Sequence, residues 1–137
     1  MSFGISNSVK SRVVQVCTPE LFDRAIRYTW VGKVCAEIED ALEKMRRGEM
    51  SKEDFDTFKA ERKKMLPVIT PHATFKNGRR LNADAVPSGL SMYDIDHMAD
   101  PRGYFARNVE KRVEELGIVL AHMTPSTEGL RFFFIIP

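Results

Sequence analysis

Apolar residues along the chain follow two distinct periods, and the switches between them outline the elements. Over residues 12–17, β-branched side chains cluster at Val13, Val14 and Val16, which predicts a first strand. Thr18-Pro19 then supplies an N-cap and a first-turn proline, so a helix is predicted to run to about Arg27. From Lys33 onward, apolar residues recur at Val34, Ile38, Leu42 and Met45, one stripe of an amphipathic helix that Gly48 ends. Residues 51–54 resemble a capping box, with aspartate at its last position in place of glutamate. Phe55, Phe58 and Met65 stripe the following helix until Pro67 stops it. Residues 67–88 carry turn chemistry at Asn77-Gly78 and Pro87-Ser88-Gly89 without a sustained period, so they are predicted to be mostly irregular.

The last third is the most legible. Residues 90–94 predict a strand, and Asp100-Pro101 predicts the cap and first turn of a helix. Tyr104, Phe105, Val109, Val113 and Leu116 stripe one face of that helix, and Gly117 ends it. Residues 118–122 predict a second strand, 124–129 a turn, and 130–136 a third strand, apolar on both faces. Strand, helix, strand, turn, strand is the first half of a split β-α-β-β-α-β unit, the ferredoxin-like arrangement. In it the first and third strands are antiparallel neighbours, which sets the end of the Asp94 strand beside the start of the Arg131 strand. The predicted class is α+β, in one domain with a mainly helical portion over 1–66 and a motif-bearing portion with an antiparallel sheet over 67–137. A terminal strand this apolar calls for further cover, so the chain is read as the N-terminal part of a longer protein.

Composition narrows the class without fixing the chemistry. Hydrophobic residues make up 43% of the 137 and charged residues 29%, which excludes a disordered chain. The net charge of +2 permits a nucleic-acid partner without requiring one. Cys17 and Cys35 are too few for a disulfide framework or a cysteine-rich zinc site, and are read as buried free thiols. The N-terminus lacks the apolar segment of a signal peptide and no stretch has the length of a membrane span, so a cytoplasmic location and no membrane partner are expected.

The sharpest chemical signal is Ser91-Met92-Tyr93-Asp94-Ile95-Asp96-His97. Residues i and i+2 of a strand share a face, so Asp94 and Asp96 present two carboxylates with Ile95 turned to the core. Such a pair raises the pKa of one member unless a cation lies between them. Hard oxygen ligands suit Mg²⁺ or Mn²⁺, and a pair of such ions suits phosphoryl transfer. The plainer alternative is two solvated aspartates opening a turn. A second signal is the run Thr124-Pro125-Ser126-Thr127-Glu128-Gly129-Leu130-Arg131. Backbone N–H groups around Ser126 and Gly129 can cradle a phosphate, and Arg131 can add a charged contact to a triphosphate. Its alternative is a hairpin turn with an exposed arginine. His97 and His122 are read as non-catalytic. Lys76, Arg79 and Arg80 form a basic loop able to track a nucleic-acid backbone or simply to be solvated. Lys44, Arg46, Arg47, Arg62, Lys63 and Lys64 are read as plain helix faces.

Taken in order, Thr74-Phe75-Lys76-Asn77-Gly78-Arg79-Arg80, residues 82–90, Tyr93-Asp94-Ile95-Asp96-His97, Leu116-Gly117-Ile118-Val119, Thr124-Pro125-Ser126 and Gly129-Leu130-Arg131 resemble the VirE N-terminal domain family. Its members look like divergent archaeo-eukaryotic primases, often fused to a helicase in bacterial mobile elements and phages. The resemblance implies a primase-polymerase-like fold with the paired acids on Asp94 and Asp96, and nucleotide contacts on Ser126, Gly129 and Arg131. Arg131 stands where that pattern usually has histidine; it binds phosphate but donates no proton at neutral pH. Thr127 and Glu128 also depart from the pattern, and the third acidic ligand has no counterpart after Arg131.

Two functions follow as expectations. The first is a metal-dependent nucleotidyltransferase core acting in replication of a mobile element or phage. Its partners would be a nucleoside triphosphate, single-stranded or template DNA, and a helicase domain in the same polypeptide. The second is a non-catalytic nucleic-acid-binding or regulatory module on the same frame. A haloacid-dehalogenase-like phosphatase also places D-x-D at a strand end, but it needs a hydroxyl residue where Met98 stands.

Overall fold

A computed structural model describes residues 2–137. The fold is α+β, with four α-helices and three small antiparallel sheets. The first sheet has the order β2-β1-β3, from β1 (Phe3–Ser6), β2 (Gln15–Cys17) and β3 (Val68–Thr70). A two-stranded ribbon pairs β4 (Ala73–Phe75) with β5 (Ala85–Pro87). The third sheet has the order β6-β8-β7, from β6 (Leu90–Ile95), β7 (Ile118–Met123) and β8 (Leu130–Ile135). Between β2 and β3 of the first sheet the chain inserts α1 (Pro19–Ile26), α2 (Thr29–Arg46) and α3 (Lys52–Lys63), and α4 (Pro101–Asn108) joins β6 to β7.

The capping chemistry acts where the sequence placed it. Thr18 Oγ1 accepts from the Leu21 amide at 3.1 Å, Ser51 Oγ from Asp54 at 3.0 Å and Asp100 Oδ1 from Gly103 at 2.9 Å. Each satisfies one of the orphan N–H groups of a helix start. The stripe of α2 buries Val34, Ile38 and Leu42, and Ala41 and Leu42 pack on Phe55 of α3.

Several expectations need correction. The segment 67–88 is not mostly irregular: it holds β3, β4, a 3-10 turn over Asn82–Asp84, and β5. The portion before it also holds the short strand β1, which the patterning did not predict. The first strand is shorter than 12–17, and Val13 instead makes an isolated bridge to Arg79. The α4 stripe breaks after Asn108 and passes into a 3-10 turn over Glu110–Arg112; Val109 remains buried but Leu116 is exposed. Met65 lies beyond α3 and is exposed as well.

The third sheet positions the candidate chemistry. Its strands follow the split βαβ order, with β8 central and antiparallel to both neighbours. One face carries Ile95, Leu130 and Phe132 against Phe105, Val109 and Val113. On the other, Phe133 is wholly buried, with the ring of Phe3 packed edge-on at 5.4 Å. Phe133 is thus the contact through which the first sheet rests on the third. Among the described residues no helix is long and apolar enough to cross a membrane.

Gly129, at the entry to β8, is held by close approach. A Cβ there would lie 2.8 Å from both the Ile95 carbonyl oxygen and Thr124 Oγ1. The Ile95 carbonyl is backbone of β6 and Thr124 is buried in the β7–β8 turn, so Gly129→Ala is expected to destabilise by about 1–3 kcal/mol, as overpacking does. Urea unfolding measures this, and an unchanged midpoint would show the turn to be slack.

Candidate functional site

Register builds the site. Asp94 of β6 lies directly opposite Arg131 of β8, and Arg131 lies directly opposite His122 of β7. Opposed residues of an antiparallel pair share a face, so the three form one row across the sheet, on the face that meets the N-terminal elements. Arg131 grips Asp94 with two parallel bonds, Nε to Oδ1 at 2.7 Å and Nη2 to Oδ2 at 2.9 Å. Both side chains are less than a third exposed, at 29% and 30%. This is a partly dry, bidentate pair of the strong kind, unlike the open pairs on the helices.

The charges respond accordingly. The Arg131 bond holds the Asp94 carboxyl below the usual carboxylate range, although burial opposes it. Two neighbouring aspartates were expected to push a pKa up; the guanidinium reverses that for Asp94. Burial pushes the His122 imidazole below its ordinary value, while the Met123 carbonyl, 2.8 Å from Nδ1, and the Asp94 charge oppose the shift. His122 is therefore a neutral ring packed between Phe22 and Phe133, with an Nε2 that lacks a partner among the described residues.

Asp96 lies one residue past the end of β6 and is exposed, and the chain then turns at His97, whose φ of 57° is left-handed. His97 is exposed and stands apart from the row. Both aspartates act on a group that sequence patterning assigned to a plain helix face, Lys63 at the end of α3. Partial burial, then the like charges of Lys59 and Arg131, lower the Lys63 pKa, and Asp96 and Asp94 oppose the shift. A basic residue in the last turn of a helix is ordinary complement to the helix dipole, so nothing in the sequence marked it. Arg46 was likewise not a plain face: it joins Glu128 of the β7–β8 turn at 2.9 Å, which offsets the negative charge beside Arg131. Arg62 reaches Glu37 of α2 at 3.1 Å.

The turn itself is closed. Thr124 N–H donates to Gly129, Thr127 N–H to Thr124, and Met98 N–H to Glu128 at 2.7 Å. Ser126 is buried and Gly129 abuts Ile95. In the basic loop, Lys76 and Arg79 are exposed, whereas Arg80 Nη2 donates to the carbonyls of Val9 and Ser11 and so anchors the N-terminal loop.

A resident Mg²⁺ or Mn²⁺ needs free oxygen ligands. Both oxygens of Asp94 accept from Arg131, and among the described residues no three His, Cys, Asp or Glu side chains converge to hold a metal ion. The donor set does not fit a divalent ion held by Asp94 and Asp96 in this arrangement.

Beside the row opens a cleft of about 370 Å³, between α1, α2 and β3 on one side and the β7–β8 turn on the other. Phe22, Ile26, Val31 and Leu66 line it, and Arg131, His122 and Thr127 close its polar end. No strand-end motif pointed to it, because its walls come from elements far apart in the chain.

A family profile described as BT4734-like, N-terminal domain, matches residues 61–137. No curated protein and no solved structure matches the chain. The family match replaces the resemblance to the VirE N-terminal domain and to primases, since neither family matches. The residues behind that resemblance are largely turn formers: Gly78, Gly89 and Gly117 all adopt positive φ. These three glycines report backbone shape, which unrelated families share.

His122 yields a pH signature. Its folded pKa lies below the unfolded value of about 6.5, so the unfolded chain binds the proton more tightly. Stability is fully present above that value and falls as pH drops through it. Urea unfolding at pH 7.5 and 5.5 should show a loss that His122→Gln reduces; an equal loss in both proteins would assign it elsewhere.

Proposed function

The chain belongs to the BT4734-like N-terminal domain family, and from the geometry of its cross-sheet row we propose that it is a non-catalytic module that binds the phosphates of nucleotides and single-stranded nucleic acid. One observation carries this reading: Arg131 holds Asp94 with two donors and keeps its other guanidinium N–H groups for a ligand. The carboxylate fixes the guanidinium as a rigid fork, the geometry that suits a phosphate. Lys63 adds a second cation at the same end of the sheet. Lys76 and Arg79, exposed on the β4–β5 loop, extend the positive charge available to a backbone.

In the nucleotidyltransferase reading, with Asp94 and Asp96 on divalent metal, the ion competes with Arg131 for the Asp94 oxygens. The bidentate pair and the positive charge beside it disfavour a cation there, so the binding reading is the better supported of the two. Binding through fixed cations has a defined signature: steep dependence on salt and none on chelator.

Fluorescence anisotropy with labelled oligothymidylate tests the proposal. Binding is expected to survive EDTA and to weaken steadily with salt. Arg131→Ala should cost about tenfold, on the scale of one charged contact, and Lys63→Ala should lower the salt slope by about 0.7. Magnesium-dependent incorporation of nucleotides that Asp94→Asn abolishes would overturn the proposal in favour of catalysis.

A further inference from the structure

We propose that the cleft beside the row receives the base of a bound nucleotide while its phosphates lie on Arg131. This rests on the phosphate-binding reading above and names the ligand class of the same site: a mononucleotide held at both ends.

Three observations lead to it. The first is shape: about 370 Å³ lies at the small end of the range of about 300–1,000 Å³ for small-molecule sites, room for one nucleotide and not for a folded segment. The second is chemistry. The walls are apolar, from Phe22, Ile26, Val31 and Leu66, and Phe22 brings an aromatic ring to the lining. Base stacking on aromatic side chains tolerates any base, because every base has a π-face. The third is polarity at one end only. Arg131 belongs both to the row and to the cleft lining, so a ligand that enters the cleft ends at the guanidinium. There the hydroxyl-bearing Thr127 lines the wall beside Arg131. A purely aliphatic ligand would leave these polar groups unanswered, and a bare phosphate would leave the apolar walls wet.

Ile26 is the informative position. It lines the cleft yet is 52% exposed, so a larger side chain there can obstruct the entrance without loading the core. Isothermal titration with ATP, adenosine and inorganic tripolyphosphate separates the two ends of the site. ATP is expected to bind at least tenfold more tightly than tripolyphosphate, and adenosine to bind weakly but measurably. Ile26→Trp should bring ATP down to the tripolyphosphate level and leave tripolyphosphate unchanged. Phe22→Ala should weaken ATP and adenosine by about tenfold each, within the range of one stacked base; its circular dichroism and thermal midpoint report whether it is folded. Equal affinities for ATP and tripolyphosphate, with Ile26→Trp silent, would overturn the cleft while leaving phosphate binding intact. Failure of both ATP and tripolyphosphate to bind would overturn the phosphate reading and this inference together.

Discussion

A half-buried guanidinium must have a fixed partner, and in this protein that requirement ties the sheet to its chemistry. Arg131 enters the central strand of a three-stranded sheet, at a position where the face beneath it is covered by other elements. Unpaired there, its charge would be costly. Asp94, directly opposite on β6, answers with both oxygens at 2.7 and 2.9 Å. A one-residue slip of β6 against β8 would send Asp94 to the other face, among Phe132 and Phe105, and strand both charges. The pair therefore selects the register that also places Phe132 and Leu130 against α4 and Phe133 against Phe3. Stability and site share one alignment.

That arrangement also decides what the row can do. A carboxylate engaged by a guanidinium is a poor metal ligand but a good positioning group. It orients Arg131 as a fork with donors to spare, within electrostatic reach of Lys63 and in the lining of the cleft. Glu128, which would repel an anion, is drawn off by Arg46. The neutral His122 on the far side of Arg131 leaves the guanidinium without a competing positive charge in the row.

How much of this the sequence disclosed follows from how local each feature is. Caps at Thr18, Ser51 and Asp100 act within one turn and were legible. So was the pairing of the Asp94 and Arg131 strands, since strand order in a split βαβ unit follows from chain order. The three-residue strands β3, β4 and β5 were not: they are too short to show a period, and Gly78 and Pro87 read as turns. The break in α4 after Asn108 escaped because Val109 and Val113 keep the apolar spacing across it. Lys63, Arg46 and the cleft are products of tertiary packing, where residues far apart in the chain converge without any local mark. Family identity was the least legible: the profile that matches residues 61–137 is not the one the motifs suggested.

The claim on which the account stands is that Asp94 and Arg131 are one energetic unit. A double-mutant cycle measures it directly, with Asp94→Ala, Arg131→Ala and the double variant compared by urea unfolding at pH 7. The account predicts a coupling of about 1–3 kcal/mol between the two sites, with the double variant losing less stability than the two single losses added together. Additive effects, with coupling near zero, would contradict it: the two residues would then be independent surface charges and the row no site at all.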